Sequence, residues 1–251
     1  MNLGLTDKIV FITGASGGIG QAIAQAFVEE GALVIAGFKG REYKISDWAL
    51  TLTEDQQKRV FPVKIDLNDT AALSQNVADL VATHHRIDVL INCAGSAIEK
   101  PFLLMDDDEI ERQVHDNFTG HIQLTQRVLK QMLAQKSGSI VNISSILGSQ
   151  FGRGATVYAS AKSAIERFTQ ALSLEVGRKG IRINCVCPGM IDTKMTSELK
   201  RNMPDEIVKM SPISRPGTPR EVADAVLFLA SDLRASYITG TSLAVNGGLG
   251  I

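Results

Sequence analysis

The 251-residue sequence predicts a doubly wound α/β fold: one mostly parallel, seven-stranded sheet with helices on both faces. Three observations predict it. Short apolar runs of strand length alternate with amphipathic segments of helical length along nearly the whole chain, a pattern of βα units that implies right-handed crossovers. The first run opens directly onto a glycine-rich turn and a helix start. The composition is that of one ordinary globular domain, with 44% hydrophobic residues, 21% charged residues and 22 glycines. No repeat, low-complexity tract or interdomain linker interrupts it, so a single dinucleotide-binding and catalytic domain is expected over residues 1–251.

Lys8-Ile-Val-Phe-Ile-Thr13 is a continuous apolar run with polar ends, as in a strand buried on both faces. It runs into Gly14-Ala-Ser-Gly-Gly-Ile-Gly20, after which Ile23, Ala24, Phe27 and Val28 recur at helical spacing. Strand, glycine turn and helix start together make a phosphate site, because glycines admit close backbone approach and the helix N-terminus supplies unpaired N–H groups and partial positive charge. The spacing Gly-x-x-x-Gly-x-Gly is a variant of the Rossmann fingerprint. The next strand starts at Gly31 and exits through Gly37-Phe-Lys-Gly-Arg41. NAD-binding domains place an acid in this region for the ribose 2′-hydroxyl. Here Lys39 and Arg41 stand instead, which suits the 2′-phosphate of NADP, although a solvated basic loop also fits.

Further strands are read at Val60–Ile65, Arg86–Ile91, Ser139–Ile143, Ile181–Val186 and from Ser242. The helices between them run to about His84, through a region interrupted near Pro101 that resumes from Met105 to Lys136, around Tyr158, and over Glu221–Ser231. Residues 194–216, with Pro204, Pro212 and Pro216, form a loop too long to be idle and are expected to act as a substrate lid.

Composition excludes several classes. A net charge of −1 and a pI near 6.4 give no overall reason to expect nucleic acid or anionic membrane as a partner. There is neither a signal-like N-terminus nor an apolar run long enough to span a bilayer, so a cytoplasmic protein is expected. Cys93, Cys185 and Cys187 are expected as buried reduced thiols. No Cys/His spacing suits a metal, and His84, His85, His115 and His121 read as structural or solvated.

The chemistry concentrates between Ser145 and Lys162. Tyr158 and Lys162, four apart, lie on one helical face, so the ammonium can sit beside the ligand that the phenol touches. A fixed positive charge favours phenolate and makes the hydroxyl a usable acid near neutrality. Ser145 ends an apolar run, at the carboxyl edge of the sheet where such folds bind ligands. Taken alone, the pair also describes a packed tyrosine beside a solvated lysine.

Along nearly its whole length the chain resembles the short-chain dehydrogenase/reductase family. The matching pieces are Thr13-Gly-Ala-Ser-Gly-Gly-Ile-Gly20, Asn92-Cys-Ala-Gly95, Asn117, Ser145, Tyr158-Ala-Ser-Ala-Lys162, Pro188-Gly189 and Val245-Asn-Gly-Gly248. Within the family it looks most like the β-ketoacyl-acyl-carrier-protein reductases, through Phe102–Glu109, Arg215–Ala223 and Tyr237–Leu249. It departs from them in having Gly17 where a basic residue often stands, and Ser96-Ala-Ile-Glu99 in place of a Thr-Arg-Asp-like stretch.

The resemblance implies NADPH-dependent reduction of a β-ketoacyl thioester, as in fatty acid biosynthesis. Ser145 and Tyr158 would donate hydrogen bonds to the carbonyl oxygen, Tyr158 as general acid; Lys162 would hold the nicotinamide ribose, and Asn117 a water leading to solvent. Gly14, Ser16, Gly18, Ile19 and Gly20 would meet the pyrophosphate and its ribose, Lys39 and Arg41 the 2′-phosphate, and Asp66 and Leu67 the adenine. Asn92, Ala94 and Gly95 would line the ribose side, and Pro188, Gly189, Ile191 and Thr193 the carboxamide face. Lys136 and Lys179 would dock an acyl carrier protein near the pocket mouth, and a homotetramer is implied. The same catalytic set also serves acetoacetyl-CoA reductases and secondary-alcohol, sugar or steroid dehydrogenases. A non-catalytic sensor or scaffold would be expected to lose one of the four catalytic residues.

Overall fold

The computed structural model describes residues 2–40, 42–150, 154–193 and 211–250. Over these residues the chain runs β1 (Ile9–Ile12), α1 (Gly18–Glu29), β2 (Leu33–Phe38), α2 (Glu42–Ala49), α3 (Glu54–Gln57), β3 (Val60–Lys64) and α4 (Thr70–His84). It continues through β4 (Val89–Asn92), α5 (Asp107–Val114), α6 (Gly120–Gln135), β5 (Gly138–Ile143), α7 (Thr156–Val176), β6 (Ile181–Pro188), α8 (Pro219–Ala230) and β7 (Ser242–Val245). The seven strands form one sheet in the order β3-β2-β1-β4-β5-β6-β7, and every described pairing is parallel.

Alternation along the strands builds two cores. Val10 and Ile12 of β1 pack with α1 and α8 on one face, while Ile9 and Phe11 pack with α4, α6 and α7 on the other. Every residue of β1, β4, β5 and β6 is buried; β1 is apolar throughout, while Asn92, Ser139, Asn142, Arg182 and Asn184 are buried polar or charged positions in the other three. The strand order reverses between β1 and β4, so the carboxyl ends of these two strands open the crevice where such sheets bind ligands.

Helix α2 follows the exit loop of β2, in a stretch where the sequence suggests no element. Its burial is narrow, with Ile45 and Trp48 fully or nearly buried three residues apart, a spacing too short to stand out as a periodic signal. The expected lid falls mostly on residues 194–210, which lie outside the described residues. Among the described residues no helix is long and apolar enough to cross a membrane.

The far end of α8 is held by a buried cation. Arg182, only 8% exposed, donates to the carbonyls of Leu229 at 2.6 Å and Ala230 at 3.1 Å, and pairs with Asp232 at 2.9 Å. Those carbonyls belong to the last turn of the helix, where no intrahelical donor remains. We predict that Arg182→Met costs about 2–4 kcal/mol in urea unfolding by removing these bonds, the Leu229 carbonyl keeping only a 3.4 Å contact from Ser139 Oγ. Asp232→Asn, at a position 58% exposed, should cost less than about 1 kcal/mol. Equal losses would count against this account.

Candidate active site

The glycine turn is shaped by close backbone approaches. Gly14 has φ +70, and a Cβ there would lie 2.7 Å from Ala94 Cα. A Cβ on Gly20 would lie 2.2 Å from the carbonyl oxygen of Gly14. Helix α1 starts at Gly18 with no side-chain cap from Gly17, so its first N–H groups face the crevice beside half-buried Ser16 and Ile19. Thr13 locks the neighbouring strand exit: its Oγ1 accepts from the backbone N–H of Cys93 at 3.0 Å and of Ala94 at 3.1 Å.

Pro188 is the last residue of β6, and Gly189 beyond it donates to the Val245 carbonyl. Ile191 is buried, and Thr193 stands over the start of α1, where a Gly18 Cβ would be 3.1 Å from its Cγ2. The motif pieces around positions 14–20, 92–95 and 188–193, far apart in sequence, therefore meet at one crevice. At its outer end Lys39 pairs with Asp66 at 3.0 Å. Burial alone would raise the Asp66 carboxyl, but hydrogen bonds from Asn68 and Lys39 outweigh it and hold the group below its ordinary range. Arg41 lies outside the described residues. Leu67, next to Asp66, is buried and gives its carbonyl to His115 Nε2 at 2.9 Å.

Between α5 and α6 the helix widens into a π turn, His115–Thr119, that carries the fully buried Asn117. Asn117 Nδ2 donates to the carbonyls of Ser96 at 2.8 Å and Gln113 at 2.9 Å. Its Oδ1 has no hydrogen-bond partner among the described residues and points at Gly95, where a Cβ would lie 2.8 Å away. The same imagined Cβ would lie 3.6 Å from Lys162 Nζ. Only glycine at position 95 lets Asn117 and Lys162 converge.

Lys162 is 4% exposed and donates to the Ile143 carbonyl at 2.9 Å, with its Nζ 5.6 Å from the centroid of the Tyr158 ring. Ser145 follows β5 and caps a 3-10 turn, Ile146–Gly148: its Oγ accepts from the Leu147 N–H at 3.2 Å. That bond uses a lone pair of the hydroxyl and keeps its proton for another acceptor. Asn117, Ser145, Tyr158 and Lys162 thus come from the middle of a helix, a strand exit and two turns of α7, gathered along the carboxyl edge of the sheet.

This geometry can present two hydroxyl donors and a fixed ammonium beside a glycine-walled crevice with a helix N-terminus at its floor. It fits a dinucleotide: a Cβ at Gly14 or Gly20 would fill the cradle, and the Asn117 amide oxygen, buried and without a partner among the described residues, lies with the ammonium beside Gly95.

A profile of a protein family described as Enoyl-(Acyl carrier protein) reductase matches residues 14–250. A Chlamydia trachomatis protein named 3-oxoacyl-(acyl-carrier-protein) reductase FabG is 40% identical over 246 residues, covering 98% of each chain. The chain belongs to the short-chain dehydrogenase/reductase family. A Thermotoga maritima member bearing the same name as the chlamydial one is 36% identical over 245 residues, again 98% of each chain. A solved structure titled "Crystal structure of gox2181" superposes with a TM-score of 0.93 at 32% identity, covering 99% of this chain and 97% of that one.

Several site-forming residues carry no motif of their own. His121 is 2% exposed, with Nε2 2.8 Å from the Ala94 carbonyl, so it braces the family's Asn92–Gly95 stretch from behind. Ser96 donates from Oγ to Asp116 at 2.7 Å and ties the same loop to the π turn. The thiols are free, and burial pushes Cys93 up to about 12 against the pull of Lys162. A hydrogen bond to Cys187, with burial, likewise raises Cys185. Neither is set up as a nucleophile.

The two lysines matched to carrier docking lie elsewhere. Lys136 and Lys179 line one cleft of about 530 Å³ with Leu133, Arg178 and Gly180. The cleft sits where β5 and β6 begin, at the edge of the sheet opposite Tyr158. From Tyr158 to Val176 alone, α7 spans about 27 Å at 1.5 Å per residue. The sequence expectation that they flank the pocket mouth of their own chain does not hold.

Burial, reinforced by the Lys162 ammonium, pushes the His121 imidazole down to about 3. The folded chain keeps it neutral, whereas the unfolded chain takes up a proton near the ordinary value of 6.5. Protons therefore bind the unfolded state first, and stability falls as pH drops from about 6.5 towards 3. Between pH 7 and pH 5 the wild type should lose about 2 kcal/mol more than His121→Leu, measured by urea unfolding at both pH values. Equal losses would remove His121 as the source.

Proposed function

We propose that the protein reduces 3-oxoacyl thioesters, borne by an acyl carrier protein, to 3-hydroxyacyl thioesters with NADPH. The observation that carries this reading is the convergence of Gly95, Asn117, Lys162 and the Tyr158 ring at one crevice floored by the start of α1. Its relatives' names support the substrate: proteins from C. trachomatis and T. maritima, matched over 98% of both chains, are named for this reaction. The family profile's title names enoyl reduction instead, on a carbon–carbon double bond. Two hydroxyls beside an ammonium suit a carbonyl oxygen better, because they can stabilise and protonate the charge that develops there.

NADPH, when bound, supplies the hydride. The chain's own residues do the rest. Gly14, Ser16, Gly18, Ile19 and Gly20 admit the pyrophosphate against the α1 N-terminus, and Gly95, Asn92 and Ala94 leave room for the ribose. Lys39, with Arg41 beside it in sequence, is the cation for the 2′-phosphate, which draws it from Asp66; Asp66 and Leu67 border the adenine. Pro188, Gly189, Ile191 and Thr193 face the carboxamide. Ser145 donates to the carbonyl oxygen, and Tyr158 donates and then gives up its proton. Lys162, held by Ile143, fixes the ribose hydroxyls and the charge beside the phenol. Asn117 Oδ1 accepts from the route by which Tyr158 regains a proton. The substrate loop expected at residues 194–216, most of which lie outside the described residues, and the single domain belong to the same reading.

The Tyr158→Phe variant keeps the ring and loses the acid. It should lose at least about a hundredfold in kcat while binding NADPH as wild type does, by fluorescence titration. Wild-type turnover would end this reading. Lys39→Glu should lower kcat/KM for NADPH by about tenfold or more and leave NADH nearly unaffected, since only the first carries the extra phosphate.

Carrier docking falls to the cationic cleft. Lying across the sheet from Tyr158, the cleft would serve the active site of an adjoining copy in the proposed homotetramer. The double variant Lys136→Glu, Lys179→Glu should raise KM for carrier-bound substrate and spare acetoacetyl-CoA. A matching rise for both substrates would argue against docking there.

A further inference from the structure

Tyr158, Lys162 and Glu166 recur every four residues of α7 and share one face of the helix. The family reading uses the first two. The third, half-buried, faces the loop that carries Ser145. Glu166 Oε1 lies 2.7 Å from the hydroxyl of Ser144, and the Lys162 carbonyl lies 3.0 Å from the same hydroxyl. A serine has one proton to give, and the shorter contact is the one to Glu166.

The same carboxylate oxygen also touches the other side of Ser145. A Cβ on Gly148 would lie 2.3 Å from Glu166 Oε1 and 3.0 Å from Ser144 Oγ, so the turn packs against the carboxylate and a larger residue there would push it aside. Ser145 sits between these two contacts. Its neighbour Ser144 donates its N–H to the Val186 carbonyl, which keeps the strand paired to that point. Ser145 itself accepts at its carbonyl from Gly148 N–H at 2.9 Å and at Oγ from Leu147 N–H at 3.2 Å. The direction in which its hydroxyl leaves the sheet is set by a turn anchored at both ends on one oxygen atom.

We infer that Glu166 is a positioning residue for Ser145, acting through Ser144 and Gly148; this rests on the reductase reading above. Displacing a donor by a fraction of an ångström weakens its bond to the developing oxyanion without touching the cofactor.

Four variants test it, each measured for kcat and KM with acetoacetyl-CoA, for NADPH Kd and for Tm. Glu166→Leu and Ser144→Ala each remove one partner of the same hydrogen bond. Both should lower kcat by about tenfold or more with NADPH Kd unchanged. Glu166→Gln keeps an acceptor oxygen of the same reach and should recover most of the turnover. A general loss of structure would instead lower Tm and weaken NADPH binding together.

Wild-type kcat in Glu166→Leu overturns the inference, as does a loss that Gln does not recover. Should Glu166→Leu fail to fold, Ser144→Ala decides, and full kcat there overturns it equally. Ser145→Ala separates the two levels. If that variant is as active as wild type, the reductase reading itself fails; if it is impaired while Glu166→Leu is not, only the positioning role falls.

Discussion

A buried ammonium with one backbone carbonyl for company is the interaction on which the rest is hung. An isolated ammonium in a protein interior costs several kcal/mol, so Lys162 must be met by acceptors wherever α7 comes to rest. The Ile143 carbonyl, at the last residue of β5, accepts from Lys162 at 2.9 Å. The bond therefore fixes both the depth and the rotation of α7 over the carboxyl edge of the sheet. Tyr158, one turn earlier, and Ser145, two residues past Ile143, inherit their placement from it.

Around this anchor the chain is fitted by absence of side chains. Gly14 against Ala94, Gly20 against Gly14 and Gly95 against Asn117 are three places where backbone or a polar tip occupies the space of a methyl group, and Gly18 sits close under the Thr193 methyl. Polar atoms fill the floor beneath. Asn92 donates to Thr125 Oγ1 at 2.9 Å and to Asn142 Oδ1 at 2.8 Å, and Asn142 donates to Thr169 Oγ1 at 2.8 Å. This buried chain joins β4, β5, α6 and α7, and it would be broken by any slip of register between the two strands.

The sheet is legible because β1 is an unbroken apolar run, because β4, β5 and β6 keep mostly apolar stretches around a few buried polar residues, and because Gly14–Gly20 falls between a strand and a helix. Strand order is not in the pattern: βα alternation implies right-handed crossovers and a parallel sheet, and the order β3-β2-β1-β4-β5-β6-β7 is seen only in the structure. Helix α2 gives no periodic signal, since Ile45 and Trp48 are the buried pair among its described side chains. Tyr158, Lys162 and Ser145 stood out by spacing and position, while Asn117 depended on resemblance alone, there being nothing in His-Asp-Asn-Phe-Thr to announce a π turn. His121, Thr13 and Glu166 act through contacts made across the fold, which no local spacing reports. Lys136 and Lys179 were visible as cations, but the edge they occupy follows from helix length and direction.

The π turn at His115–Thr119 has a consequence for how this helix can vary. A π turn holds one residue more than an α turn, so the polypeptide on either side is phased by it. Removing a single residue there would swing all of α5 by about 100° relative to α6. The Asp106 cap, the Lys100 to Glu109 ion pair and the grip on the Ile98 carbonyl by Gln113 would all be dragged out of alignment together. The length of this segment is thus held by several contacts at once, apart from the hold on Asn117 within it.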